Sequence, residues 1–342
     1  MTENVAWVLT GRETFAWEAS NLGDVRPHWA RVKTAYCGIC GSDLHSYQGL
    51  HPNVHPPIVL GHEFSGIVTE VGDEADRAWV GKSVVVVPSV PCGDCYPCRQ
   101  GNEHICEHLQ IIGNIGIAGA LARYIDVPTD RLLKIPPSMS LAEAALVEPT
   151  AVAIHALGRT PLHQAGVVVM GAGPIGMITA LVAQAYAVGP VTIMDIRPDR
   201  LAMARRLGID SVIHSEDPDR EHKLQAVYPQ GSDAVFDCVA KPSTVNLALR
   251  IARKGSAIVL VGVPEGPLLM DAIFIQDREL QLVGTLMYQV QDFERAIQLI
   301  SRPKGLQVLD LVTRKVGFES VPQTFRQLLD GSRSDLKVLV EM

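Results

Sequence analysis

Seven cysteines fall unevenly along this chain. Four of them, Cys92, Cys95, Cys98 and Cys106, are spaced C-x2-C-x2-C-x7-C in the run CGDCYPCRQGNEHIC. Four thiolates on one short loop can close a tetrahedral shell around a zinc ion, and closed shells of this kind are structural. Gly93, Asp94, Pro97 and Gly101 supply turns, and nothing in the run has the periodicity of a core element. A second set of donors is dispersed: Cys40-Gly-Ser42-Asp-Leu-His45, then Gly61-His62-Glu63, then Glu148-Pro149. Cys40 and His62 can offer a thiolate and an imidazole, with Glu63 or Glu148 as oxygen ligand. Such a set leaves one position open for water or substrate, the condition for a catalytic zinc. Two zinc ions per chain are therefore expected.

A third constellation is Gly171-Ala172-Gly173-Pro174-Ile175-Gly176. Gly171 permits a tight turn, Gly173 lets the backbone approach a pyrophosphate, and Gly176 allows close helix–sheet packing. Pro174 suits the first helical position, where its missing N–H costs nothing. Asp195 stands at the end of the next apolar run and can accept hydrogen bonds from both hydroxyls of an adenosine ribose. Arg197 and Arg200 could face a 2′-phosphate, but Asp195 would repel it, so the expected cofactor is NAD rather than NADP. Val261-Gly262-Val263, after a later apolar run, is expected to offer backbone groups to the nicotinamide carboxamide.

The elements that must hold these groups divide near residue 148. The first part is rich in Gly, Pro and short apolar runs such as Gly66-Ile67-Val68 and Val84–Val87, and it reads as β-rich. Residues 141–158 read as a helix interrupted at Pro149. From there strands and helices alternate: apolar runs at 167–170, 191–194, 211–213, 234–238, 257–261 and 280–283 enclose helical stretches at 174–188 and 199–207. Six strands alternating with helices imply a doubly wound parallel sheet. Helices at 291–300 and 321–329 are expected to return to the first part. The domains read as 1–148 with 290–342, and 149–289.

Composition narrows the function. With 342 residues, 47% hydrophobic and 20% charged, the chain is an ordinary globular protein of two domains. A formal net charge of −7 gives no basic face for nucleic acid. No apolar run is long enough to span a membrane, and MTENVAWVLTGRE has no basic patch followed by an apolar run. A reducing, cytoplasmic location is the default expectation, and in such a compartment clustered cysteines suggest metal rather than disulfides.

Taken in order, the loop Cys37–His45, Gly61–Gly66, the four-cysteine loop, Glu148-Pro149, Gly171–Gly176 and Asp195 resemble the zinc-containing medium-chain dehydrogenases, over essentially the full chain. The similarity is to the polyol branch, which includes sorbitol, threonine, butanediol and galactitol-phosphate dehydrogenases. It implies an α/β fold in which a GroES-like β-barrel catalytic domain is joined to a Rossmann domain, with a cleft between them. It also selects Cys40, two residues before Ser42, as the ligand and leaves Cys37 a spare thiol. Glu148 stands where simple alcohol dehydrogenases have a cysteine ligand, so Glu63 and Glu148 are expected to share or exchange the oxygen position. The family's dimers and tetramers imply a homodimer or homotetramer.

The reaction so implied is NAD-linked oxidation of a secondary alcohol to a ketone, or the reverse. Ser42 and His45 would carry the alcohol proton outward, with Glu148 as the alternative acceptor. The substrate is expected to be a small molecule with a hydroxyl or amine beside the reacting carbon: a polyol, cyclitol, vicinal diol or amino alcohol. The segment Ser46–Pro57 should line the mouth; it has no Lys or Arg, which disfavours a phosphate ester, and its His51 and His55 read as loop polarity rather than substrate contacts. The competing readings are a primary-alcohol dehydrogenase or aldehyde reductase, and a non-catalytic nucleotide-binding relative.

Overall fold

The computed structural model describes residues 3–209, 211–331 and 334–342. The chain divides into two compact units, Met1–Glu148 with Gln289–Met342, and Pro149–Tyr288.

The first unit is built on the strand Trp29–Ile39. One side of this strand pairs antiparallel with Glu63–Val71. Its other side is shared by Tyr124–Pro128, along residues 29–33, and Lys337–Glu341, along residues 36–39. Ser83–Val86, Leu132–Lys134 and Val312–Gly317 complete a seven-stranded sheet. Leu9, Val32, Phe64, Val84 and Phe325 are all fully buried in its core. Arg31 fastens three adjacent strands: it lies opposite both Asp126 and Glu70 in register and donates to each at 2.9 Å. Helices here are short, apart from Val290–Ser301 and Val321–Leu329 near the C-terminus. The pairing of Ser89–Val90 with Gln110–Ile112 closes the neck of the loop that carries the four clustered cysteines.

The second unit is a six-stranded, wholly parallel sheet in the order 211–214, 191–195, 167–170, 232–237, 252–260, 281–284. In sequence terms the order is 3-2-1-4-5-6, the doubly wound arrangement. Strand Val167–Met170 lies in the middle and is completely apolar and buried, as a strand covered on both faces must be.

The helix expected over 141–158 is two helices, Leu141–Ala144 and Val147–Leu157. The break falls at residues 145–146 rather than at Pro149. Pro149 occupies the first turn of the second helix, where no N–H is needed for an intrahelical bond. Among the described residues no helix is long and apolar enough to cross a membrane.

Candidate active site

Register brings the dispersed donors of the first unit to one end of its sheet. Glu63 pairs with Gly38, and Val338 pairs with Ile39. Cys40 leaves one strand where His62 and Glu63 enter the second and Lys337 begins the third. Ligand atoms of Cys40, His62 and Glu63 lie within 4.8 Å of one another. His62 and Glu63 are 7% and 1% exposed, whereas Cys40 is half-buried, so the cluster is covered on the protein side and open on the thiol side. Thiolate, imidazole and carboxylate are the donors zinc takes, and this set fits that ion.

Asp43 ties the two ligand segments together. It is 1% exposed; its Oδ2 accepts the Cys40 backbone N–H at 2.9 Å and its Oδ1 faces His62 Nδ1 at 3.4 Å. Nδ1 is thereby turned to the carboxylate and Nε2 is left for a metal, the carboxylate–histidine pairing that orients imidazole ligands. Burial opposes a charge on His62, but Asp43 and Cys40 outweigh it and raise the ring well above its ordinary value. A metal ion bound at His62 would displace that proton.

Glu63 is held from behind by Lys337. The ammonium donates to Glu63 Oε1 at 2.7 Å and to the Ile39 carbonyl at 3.2 Å, and it lies 2.5 Å from Oε2. Both side chains are buried, at 3% and 1% exposure. Burial lowers the Lys337 pKa, yet the attraction of Glu63, Cys40 and Glu148 reverses this and leaves it raised. Gly38 makes room for the pair, since a Cβ there would collide with Glu63 Oε2. Glu148, 6% exposed in the first turn of Val147–Leu157, acts on Lys337 and is not one of the three clustered donors.

Ser42 and His45 are three residues apart on the helix Gly41–Tyr47, which puts them on one face. Ser42 is half-buried and His45 exposed, a gradient from the site toward water. Cys37 is completely buried inside its strand, and its Sγ packs where a Gly61 Cβ would sit. Burial pushes its thiol up, with Asp43 and Glu63 adding to the effect.

The four clustered cysteines converge. Sγ separations are 3.3 Å for Cys95–Cys98, 3.8 Å for Cys95–Cys106 and 3.5 Å for Cys92–Cys106. The amides of Cys92 and His108 both donate to Cys106 Sγ at 3.3 Å, which suits a thiolate. Desolvation opposes ionisation of Cys95, but the amides of Cys98 and Glu107 and the neighbouring thiols bring it down to about 6. A hydrogen bond with Asp94 leads the causes that push Cys92 up to about 12.

In the second unit, Gly171 has φ of +94°, a conformation that favours glycine, and helix Pro174–Ala185 begins directly behind Gly173. A Cβ on Gly176 would collide with the Gly171 carbonyl, whereas one on Gly173 would meet nothing within 4 Å. Gly176 is thus required by packing, and Gly173 faces open space that a pyrophosphate can fill. Asp195 is fixed by two amides, Ala172 N–H to Oδ2 at 2.6 Å and Arg197 N–H to Oδ1 at 2.8 Å. Each oxygen keeps a lone pair for a ribose hydroxyl. The Arg197 guanidinium is engaged by Asp199 at 2.8 Å, and Arg200 follows half-buried on the same helix, Pro198–Arg206. The amides of Val261 and Gly262 donate to the Asp237 carbonyl, and Val263 is 83% exposed.

Residues 26–137 match the family model described as the alcohol dehydrogenase GroES-like domain, and residues 174–302 match that of the zinc-binding dehydrogenases. A sorbitol dehydrogenase of Arabidopsis thaliana is 33% identical over 99% of this chain and 96% of its own length. The chain belongs to the zinc-binding alcohol dehydrogenases. Among solved structures, the dehydrogenase superposes at a TM-score of 0.93 on an Escherichia coli CFT073 protein described as a short chain alcohol dehydrogenase, complexed with NADH, with 28% identity and full coverage of both chains. It superposes at 0.90 on 2R,3R-butanediol dehydrogenase from Bacillus subtilis, with 27% identity over 99% of each chain.

Two residues of the dehydrogenase's site were not singled out by sequence. Asp43 carried a legible signal, an acid three residues after Cys40 at a helix start. Lys337 carried a weaker one, a lone cation opening the apolar strand Lys337–Glu341.

Proposed function

We propose that the dehydrogenase oxidises a secondary alcohol bearing a neighbouring hydroxyl or amine to the ketone with NAD, or catalyses the reverse. The observation that carries this is the open Cys40–His62–Glu63 cluster, supported by the sorbitol and butanediol dehydrogenases to which the chain is similar. Cys40 and His62, with Glu63 or Glu148, would hold the catalytic zinc; Cys92, Cys95, Cys98 and Cys106 would hold the structural one. Gly171, Gly173, Pro174, Ile175, Gly176, Asp195, Arg200, Val261 and Val263 would receive the dinucleotide. When bound, zinc supplies a Lewis acid that lowers the pKa of the alcohol, and nicotinamide supplies the hydride acceptor.

The chain's own residues manage the proton. Ser42 accepts it near the reacting oxygen and exposed His45 passes it to water. Asp43 keeps the His62 ring oriented, and Lys337 holds the Glu63 carboxylate in place. Replacing His45 with Gln is expected to slow alcohol oxidation mainly at low pH, and added imidazole base should restore the rate. An unchanged pH–rate profile would remove His45 from the route.

The test of the whole reading is NAD and NADP reduction on a panel of polyols, vicinal diols, amino alcohols and primary alcohols. Turnover of secondary alcohols with NAD supports it; turnover confined to primary alcohols, or none, sinks it. We also infer a homodimer or homotetramer. Leu269, Ile273 and Leu286 are 81%, 66% and 53% exposed around the edge strand Gln281–Gly284, a surface a second copy would cover. Light scattering that returned only monomer would end that inference. The metal spacing of the four clustered cysteines supports residence in the cytoplasm.

A further inference from the structure

Strand ends of the second unit stand side by side in register. Met194 lies opposite Met170, Met170 opposite Asp237, and Asp237 opposite Leu260. Adenosine ribose is expected at Asp195, just past Met194, and pyrophosphate at the glycine turn behind Met170. Continuing along the same edge, a dinucleotide would bring its nicotinamide half over the turn 238–240 and residues 261–263.

That part of the edge is organised by Asp237, which is completely buried. Its Oδ1 accepts the N–H groups of Val239 and Ala240, both at 2.9 Å, and its Oδ2 accepts the Thr244 hydroxyl at 2.7 Å. Its backbone carbonyl accepts the N–H groups of Val261 and Gly262, both at 2.9 Å. One residue thus fastens the turn that follows its own strand and the chain that leaves the next. The turn needs fastening, because Ala240 has φ of +56°, a left-handed conformation that is costly for a residue with a Cβ. The two segments also touch: a Cβ on Gly262 would lie 2.9 Å from backbone atoms of both Cys238 and Val239. A shift of the turn would therefore displace residues 261–263.

The glycine turn has anchors of its own. The Gly171 N–H donates to the Met194 carbonyl at 2.7 Å, and the Ala172 N–H to Asp195 Oδ2 at 2.6 Å. Its nearest contact with the turn 238–240 is a Val239 methyl, which a Cβ on Gly171 would meet at 2.7 Å. Its position does not hang on the Asp237 carboxylate.

We infer that Asp237 is a positioning residue for the cofactor, whose carboxylate holds the turn 238–240, and through it residues 261–263, in the shape that receives the nicotinamide half of the dinucleotide. This rests on reading residues 261–263 as the nicotinamide's contact. Asparagine can take over the role. Its amide oxygen still accepts both N–H groups, and its NH2 can donate to the Thr244 oxygen, whose own hydrogen can turn to the Lys241 carbonyl at 3.0 Å. Alanine offers neither group.

The test compares NADH with ADP-ribose, which keeps adenosine and pyrophosphate but lacks the nicotinamide. Calorimetric titration of the zinc-loaded enzyme would give both dissociation constants for wild type, Asp237→Ala, Asp237→Asn and Thr244→Val. Asp237→Ala is expected to weaken NADH about tenfold, the effect of about one lost hydrogen bond, and to leave ADP-ribose within about twofold. Asp237→Asn should bind NADH within about twofold of wild type. Thr244→Val removes only the hydroxyl on Oδ2 and should weaken NADH about threefold, with ADP-ribose unchanged. It decides the matter if Asp237→Ala does not fold. Equal losses on both ligands, no loss of NADH, or an asparagine variant as weak as the alanine one overturn the inference. Wild-type enzyme that binds NADH no more tightly than ADP-ribose defeats the reading of residues 261–263, and the inference falls with it.

Discussion

Replacing Cys40 with serine is expected to lower bound zinc from about two ions per chain to about one. The same change should reduce kcat/KM for every substrate by about a thousandfold or more. A zinc ion contributes several kcal/mol of charge stabilisation in such reactions, and each 1.4 kcal/mol is about tenfold in rate. Serine keeps the volume but offers a hydroxyl whose pKa is far too high to replace a thiolate at neutral pH. The sheet end that carries residue 40 is otherwise undisturbed, and NADH binding should persist. Cys106→Ser provides the contrast. It should also remove about one zinc, but its loss belongs to the four-cysteine lobe, where the amides of Cys92 and His108 converge on one sulfur. There the expected effect is a melting temperature lower by roughly 5–10 °C, with activity retained per folded molecule. Elemental analysis, NADH fluorescence, kinetics and thermal melts on both variants decide the matter. Full zinc and full activity in Cys40→Ser would refute the assignment of the catalytic cluster.

Lys337→Met is expected to destabilise the protein by about 3–5 kcal/mol, because it strands the Glu63 carboxylate in a site 1% exposed. The Ile39 carbonyl loses its donor as well. The double variant Lys337→Met with Glu63→Gln should recover much of that stability, since a neutral amide in the same place carries no unpaired charge. The pair's pH dependence has a definite sign. Lys337 is raised above its ordinary 10.5 in the folded protein, so its contribution is complete below that pH and is lost only as pH climbs through the higher folded value. Urea unfolding of the zinc-free protein at neutral pH therefore reads the pair in full. A single variant as stable as wild type would mean that the Glu63 carboxylate is stabilised by some other group.

What the sequence determined by itself was whatever lies within a few residues of chain. The C-x2-C-x2-C-x7-C run, broken by turn residues, can fold four sulfurs around one point without help from distant parts of the chain. The GxGxxG turn, the helix behind it and Asp195 at the end of the next strand are likewise consequences of local geometry and the two-residue and 3.6-residue repeats. Pro149 shows the limit of local reading: proline breaks a helix interior but fits a first turn, and only the position of the preceding break tells which applies.

Tertiary structure decided what is assembled across the sheet. Cys37 and Cys40 are three residues apart and equally able to ligate a metal by type. Their difference is that Cys37 is locked inside the strand Trp29–Ile39, while Cys40 leaves its end beside His62. The contact of Lys337 with Glu63 spans 274 residues and exists because two strands pair with opposite sides of the same central strand. Spacing in the chain fixes contacts between near neighbours, but registers between distant strands are set by the sum of many core contacts, and no single motif records that sum.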